Sequence, residues 1–455
     1  MHLLTFSDGL TVTKFNINES RRQFMRQSLL GGAGAMAYGA SGLQFSQAAT
    51  QTPSSDYKAL VCVFLFGGND SFNMLHPLSG KARQEYQEVR GALARPKGLR
   101  ISPIGQAIEG GLGFDISMPE MKTLFDQGHL AVQGNVGALT QPVMSKHGEE
   151  LKQAARPKGL SSHAASQRNW MCGNQSFVDS KHLVNSQQAG WAGRVMDTLV
   201  GQCRSDSDFM RSISLAGENS WQEAVFHHAH ELDITRDFAS QAHHGDTVLP
   251  RGGLRNTYQR LIKGAVNNDQ TLLNAIAALP EGNTSFPDTS LGQQLKAVSK
   301  LIAVGRNNGL KRQVFFVAMS GFDTHSQQAQ QHPQLMTQLS TAMSGFYRST
   351  EEMGIENNVT TFTMSDFGRK LRPNGDGTDH GWASHQFVLG GAVKGGRIYG
   401  DMPAQNQHTS LIPTTSHEQM FASLAKWYGI ASNDVLGKVF PNLANFDTQV
   451  DYFTA

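Results

Sequence analysis

Four short clusters of Asp, His and Arg mark the chemistry open to this chain. Leu-Phe-Gly-Gly-Asn-Asp-Ser spans Leu65–Ser71. Far downstream come Gly-Phe-Asp-Thr-His (Gly321–His325), Ser-Asp-Phe-Gly-Arg (Ser365–Arg369) and Thr-Asp-His-Gly-Trp (Thr378–Trp382). Carboxylate oxygens and imidazole nitrogens are the donors that divalent cations take, and an open α/β sheet collects its ligands at strand ends. Asp70 follows a first apolar run, and Asp366 follows a later one. Asp323 and His325 are two residues apart, so both side chains lie on one side of an extended segment. His380 is the best donor of the last cluster, with Asp379 as an orienting partner, and Arg369 can neutralise an anion. Each Asp can also be read as a local cap for the turn or helix that follows it. Taken alone each cluster is weak; the four together point to a metal site of Asp70, Asp323, His325, Asp366 and His380. Such a site would accept one or two ions of Zn, Mn, Mg or Ca.

The elements that must position these residues are legible as periodicities. Ala59–Phe66 is a continuous apolar run stopped by Gly67 and Gly68, the pattern of a strand buried on both faces of a parallel sheet. His129–Val136 repeats it after a helix expected over Met118–Gln127, so a strand-helix-strand crossover is expected. Gln313–Met319, Val359–Met364 and Phe387–Val393 read as further strands. His325–Gly354 reads as a helix through Leu335, Met336, Leu339, Met343, Phe346, Tyr347 and Met353. Ser416 with Gln419 makes a capping box for a helix that stops at Gly429. Between the early and late strands, residues 174–308 are rich in Gln, His and Asn. They are expected to be a polar, mainly helical insertion that caps the site and sets substrate choice, with a strand at Arg211–Ala216.

Ser20-Arg21-Arg22-Gln23-Phe24-Met25 is a twin-arginine sequence, followed by a weakly apolar stretch and small residues up to Ala49. Residues 1–48 therefore read as an export signal, giving a periplasmic or secreted protein and making the twin-arginine machinery a partner. The stretch is too short and too rich in Gly and Ala to span a bilayer, and no stable membrane insertion is expected. Removing it leaves about 400 residues, enough for a large core in the domain 49–455. With Lys+Arg 39 against Asp+Glu 37, a net charge of +2 offers no broad footprint for nucleic acid. The three cysteines, Cys62, Cys172 and Cys203, are too few for a disulfide-built fold. Cys62 reads as a buried thiol, and Cys172 and Cys203 are a candidate pair.

The motifs also carry a resemblance. Gly-Gly-Asn-Asp at Gly67–Asp70, Ser-His-x-x-x-Gln-x-x-Trp at Ser162–Trp170, the three downstream clusters, Gly-Gly-Ala-Val-Lys-Gly-Gly at Gly390–Gly396 and Leu-Ala-Lys-Trp-Tyr-Gly near the end resemble the DUF1501 family of exported bacterial proteins. That family is placed in the alkaline phosphatase/sulfatase superfamily. The resemblance implies a three-layer α/β fold with a mostly parallel central sheet, helices on both faces and an inserted cap region. It implies Ser162 as nucleophile, with His163 and Arg369 assisting, and a hydrolase of phosphate or sulfate esters on small or polymeric substrates. The segment lacks the Cys-x-Pro-Ser-Arg pattern of formylglycine sulfatases, and Phe367 follows Asp366 where many relatives carry a second His. The alternative is a secreted binding or assembly protein on a decayed fold of this kind.

Overall fold

The computed structural model describes residues 56–143, 156–173, 189–200, 208–234, 267–402, 410–447 and 449–454. The export signal expected at 1–48 and Cys203 lie outside them. The chain divides into a main unit, 48–236 with 272–455, and a small one, 1–47 with 237–271. Of the small unit only 267–271 are described, as part of a helix. Everything below concerns the main unit.

In chain order its strands are β1 (Lys58–Leu65), β2 (Leu75–Pro77), β3 (Gly98–Ile101), β4 (Leu112–Asp115), β5 (Leu130–Gly137), β6 (Ser212–Ser214), β7 (His230–Glu231), β8 (Arg312–Met319), β9 (Val359–Ser365), β10 (Ser384–Leu389), β11 (Arg397–Tyr399) and β12 (Thr415–Ser416). The main sheet has the order β11-β5-β10-β9-β1-β8-β6-β7, with β12 also on β5. A small antiparallel sheet, β2-β4-β3, stands apart. β1 pairs in parallel with β8 and with β9, whereas β10 runs antiparallel to both β9 and β5. β5 thus runs in the direction of β1 but lies two strands away, so the expected crossover reaches past β9 and β10.

The alternation along β1 builds the layers. Leu60, Cys62 and Phe64 face one side, with Phe316, Phe362 and Met364 of the neighbouring strands. There they meet the helices α3 (His163–Cys172), α4 (Trp191–Val200), α7 (His417–Tyr428) and α8 (Asn433–Val439). Val61, Val63 and Leu65 face the other side, with Phe315 and Val317, against α2 (Pro119–Asp126), α5 (Ser290–Asn307) and α6 (Gln328–Glu352). One further helix, α1 (Gly80–Arg90), lies beside the small sheet. Each buried Leu, Val or Phe contributes roughly 1.5–3 kcal/mol, and the period-2 pattern spends it on both faces at once. The fold is therefore the expected three-layer α/β arrangement with a mostly parallel sheet.

Three expectations shift. The long helix begins at Gln328, not His325, because Asp376 caps its start: its carboxylate accepts from Gln327 N at 3.0 Å and its carbonyl from Gln328 N at 3.0 Å. β10 ends at Leu389, since Gly390 and Gly391 turn away to bond His129 O and Glu356 O. Of the stretch 174–308, the described residues include α4, β6, β7 and α5, whose Trp191, Val195, Ile213 and Leu295 are fully buried. That part joins the sheet and its flanking layers. Cys62 and Cys172 are buried free thiols whose pKa values burial pushes up, so both are chemically inert.

The capping box of α7 is formed, with Ser416 N donating to Gln419 Oε1 at 2.8 Å. Within the box, Glu418 is fully buried, and both carboxylate oxygens accept from Asn442, at 2.9 Å from N and 2.8 Å from Nδ2. Burial outweighs these bonds and the nearby Arg194 charge and pushes the carboxyl up to about 8. The folded chain then keeps a proton that the unfolded chain releases above about pH 4.5. The group's contribution is complete below that pH, falls as the pH rises and levels off above about 8. Urea unfolding at pH 5.5 and pH 9 should show wild type losing up to a few kcal/mol over this range, and Glu418→Gln losing distinctly less.

Candidate metal centre

The carboxyl ends of β1, β8 and β9 open into loops at the same edge of the sheet. Gly67 lets two of them touch: its φ is +114°, and a Cβ there would lie 2.3 Å from Asp323 N. The Arg369 side chain, fully buried, fastens the set. Its Nε donates to Gly68 O at 2.9 Å, Nη1 to Thr378 O at 2.8 Å, and Nη2 to Gly67 O and Phe322 O, both at 2.8 Å. Nη2 also reaches Asp323 Oδ1 at 2.5 Å. Burial raises the Asp323 carboxyl, but the Arg369 hydrogen bond and charge prevail and hold it below the usual carboxylate range. Asp323 is therefore a fixed anion.

Two imidazoles converge on it. His163, the first residue of α3, directs Nδ1 to Asp366 Oδ2 at 2.5 Å. Gln167, one turn on, donates Nε2 to the same oxygen at 3.1 Å. His380 directs Nδ1 to Ser161 O at 2.8 Å. A ring proton on each Nδ1 satisfies these contacts and leaves each Nε2 directed at Asp323. His163 Nε2 lies 3.4 Å from Asp323 Oδ2, and His380 Nε2 3.2 Å from Asp323 Oδ1. The ligand atoms of His163, Asp323 and His380 all fall within 4.8 Å of one another. Two imidazoles and one carboxylate are the donor set of an open, three-ligand zinc-type site, whose ligands at ~2.0–2.2 Å from the ion lie about 3.3–3.5 Å apart. The fully buried Phe367 packs beneath, its ring centroid 4.3 Å from that of His380 and 5.0 Å from that of His163.

The structure thus brings His163, Asp323 and His380 together, with His325 and Asp366 beside them. His325 sits at the rim, 44% exposed, its Nε2 2.9 Å from His380 Nε2 and 3.2 Å from Asp323 Oδ1. Asp366, expected as a direct ligand, stands behind His163. Its Oδ2 holds the ring, its Oδ1 is buried without a hydrogen-bond partner, and burial raises its pKa against the bonds from His163 and Gln167. His163, expected to assist catalysis, clusters with Asp323 and His380 as a candidate ligand. Arg369, expected to face an anion, is consumed by four carbonyls and Asp323. Ser162 precedes α3 as its N-cap, exposed, with no side-chain capping bond. The i, i+4 spacing of His163 and Gln167 signalled that both share one helix face.

Asp70 departs most from expectation. Its Oδ2 is ion-paired with the fully buried Arg90 and also accepts from Gln328 Nε2. Arg90 bonds Asn73 Oδ1, Lys370 O and Leu371 O as well. A cation already present in the chain holds Oδ2, while Oδ1 is buried without a hydrogen-bond partner among the described residues; Arg90 carried no readable signal because it lies on a separate helix, α1. Removing one partner of such a pair leaves a buried charge uncompensated. Arg90→Ala should cost about 3–5 kcal/mol in urea unfolding, and adding Asp70→Asn should restore part of the loss.

Comparison with known proteins follows this geometry. No curated protein matches the chain. Among solved structures it is similar to the lipoteichoic acid synthase LtaP from Listeria monocytogenes, with a TM-score of 0.33 and 9% identity over 84% of this chain and 77% of that one. It is also similar to the PsFucS1 sulfatase from Pseudoalteromonas sp., with a TM-score of 0.34 and 11% identity over 90% of this chain and 72% of that one. Residues 57–441 match the family model described as "Protein of unknown function (DUF1501)", and the chain belongs to that family.

Proposed function

We propose that this chain is an exported, metal-dependent hydrolase of phosphate or sulfate esters. The observation that carries the reading is the convergence of His163 Nε2 and His380 Nε2, directed by their Nδ1 contacts, on Asp323. With Asp70 engaged by Arg90, the donor set suits one ion. Held there, a divalent cation would supply Lewis acidity at an ester oxygen and lower the pKa of a nucleophilic hydroxyl. The chain's own residues do the rest. Asp366 and Gln167 hold the His163 ring, Ser161 O holds His380, and Arg369 holds Asp323 in its ionised form. Ser162 offers an exposed hydroxyl at the start of α3, where helix amides favour an anionic group. Among the described residues no helix is long and apolar enough to cross a membrane.

One observation favours the alternative of a non-catalytic binding protein: Arg369 already lies against Asp323 and offsets its charge. Elemental analysis separates the two readings. Protein purified from the periplasm is expected to hold one equivalent of metal, lost in His163→Ala, Asp323→Ala and His380→Ala. Asp366→Asn should weaken binding by roughly 10- to 100-fold, because His163 loses its orienting acceptor. Wild type that stays metal-free after reconstitution, or full occupancy in His380→Ala, would sink the hydrolase reading.

A further inference from the structure

Residues 156–162 line an open groove, and this wall is fixed to the candidate metal centre at several points. Leu160 is buried with Leu139 and Trp382, and Trp382 Nε1 donates to Ala138 O at 3.0 Å. Ser166 Oγ, on α3, donates to Leu160 O at 2.7 Å, and Ser162 N to Gly159 O at 2.8 Å. Ser161 O accepts from His380 Nδ1, so the groove adjoins the ligand cluster. Arg156 and Lys158, both exposed, line the same groove. Among the described residues neither has an acidic partner, whereas Lys370 at the site's rim is paired with Asp379 at 3.2 Å. Two cations without an acidic partner among the described residues line the groove together with Ser162, and so place positive charge beside the reacting position. A ligand with a single ester would need none of it.

We infer that the groove of residues 156–162 binds a polyanion, so that the substrate is a chain bearing several sulfate or phosphate groups, with Arg156 and Lys158 holding a group next to the one at Ser162. The inference rests on the hydrolase reading for the identity of the reacting group. The two cations select long, highly charged substrates over small monoesters. They act through unscreened charge, so their effect is greatest at low salt.

The test uses the full mature chain loaded with metal. Its affinity for dextran sulfate and for inorganic polyphosphate is titrated at several salt concentrations, beside 4-nitrophenyl sulfate and 4-nitrophenyl phosphate. Arg156→Ala/Lys158→Ala is expected to weaken the preferred polymer by roughly 2- to 30-fold at low salt, with a shallower salt dependence, and to leave the monoester unchanged. Charge reversal, Arg156→Glu/Lys158→Glu, should weaken it further. Whichever polymer wild type prefers identifies sulfate or phosphate. Equal polymer affinity in wild type and both variants overturns the inference, as does a wild type that binds the monoester as tightly as the polymer. Metal content measured on the same samples keeps the two ideas apart: a metal-bearing protein indifferent to the polymer removes the groove alone, and a metal-free wild type removes the hydrolase reading.

Discussion

The Arg369 guanidinium is the constraint on which the site depends. It bonds the carbonyls of Gly67, Gly68, Phe322 and Thr378, and so draws the loops after β1 and β8 and the segment before β10 onto one centre. Those loops come from parts of the sequence hundreds of residues apart, and strand pairing alone fixes only where they begin. A planar group with several donors in set directions fixes where they end. Its bond to Asp323 means that the same charge that organises the backbone also keeps the central carboxylate ionised. Fold and electrostatics are joined at one side chain.

Two buried carboxylates beside this centre meet different fates, and the difference lies in their partners. Asp70 faces Arg90, a permanent cation, and becomes part of the framework. Asp366 faces an imidazole and an amide, which orient it without neutralising it. A carboxyl placed against a ring in this way fixes the orientation of that ring. The same residue type after consecutive strands in the sheet thus acts as a brace in one place and as an orienting group of the site in the other.

The sheet and its layers were legible because burial writes itself into sequence. The apolar runs at Ala59–Phe66 and Gln313–Met319 appear as β1 and β8 with bounds shifted by a residue, and the capping box at Ser416 is formed as read. Asp323 stood out because it follows a strand-like run, and His380 because it is the metal-donor histidine of a compact Asp-His-Gly-Trp cluster. What could not be read was pairing across long separations. Nothing in the string ties Arg90 to Asp70, or Gln328 to both Asp70 and Thr378. An arginine that will bond four carbonyls looks in sequence like one that will bind an anion, because carbonyl acceptors are the same at every residue. The antiparallel direction of β10 was equally hidden, since a short apolar run reads alike both ways.

The unequal lengths of the strands carry a consequence for association between molecules. β1 and β8 at the middle each run for eight residues, whereas the flank is formed by β7 with two and the opposite flank by β11 with three and β12 with two. An outermost strand offers its unpaired amides and carbonyls to any passing chain, and a long flat one invites aggregation. Among the described residues the ladder tapers to strands of two or three residues on both sides. The molecule keeps its longest hydrogen-bonding rows interior, and presents to its neighbours too short a template for them to extend.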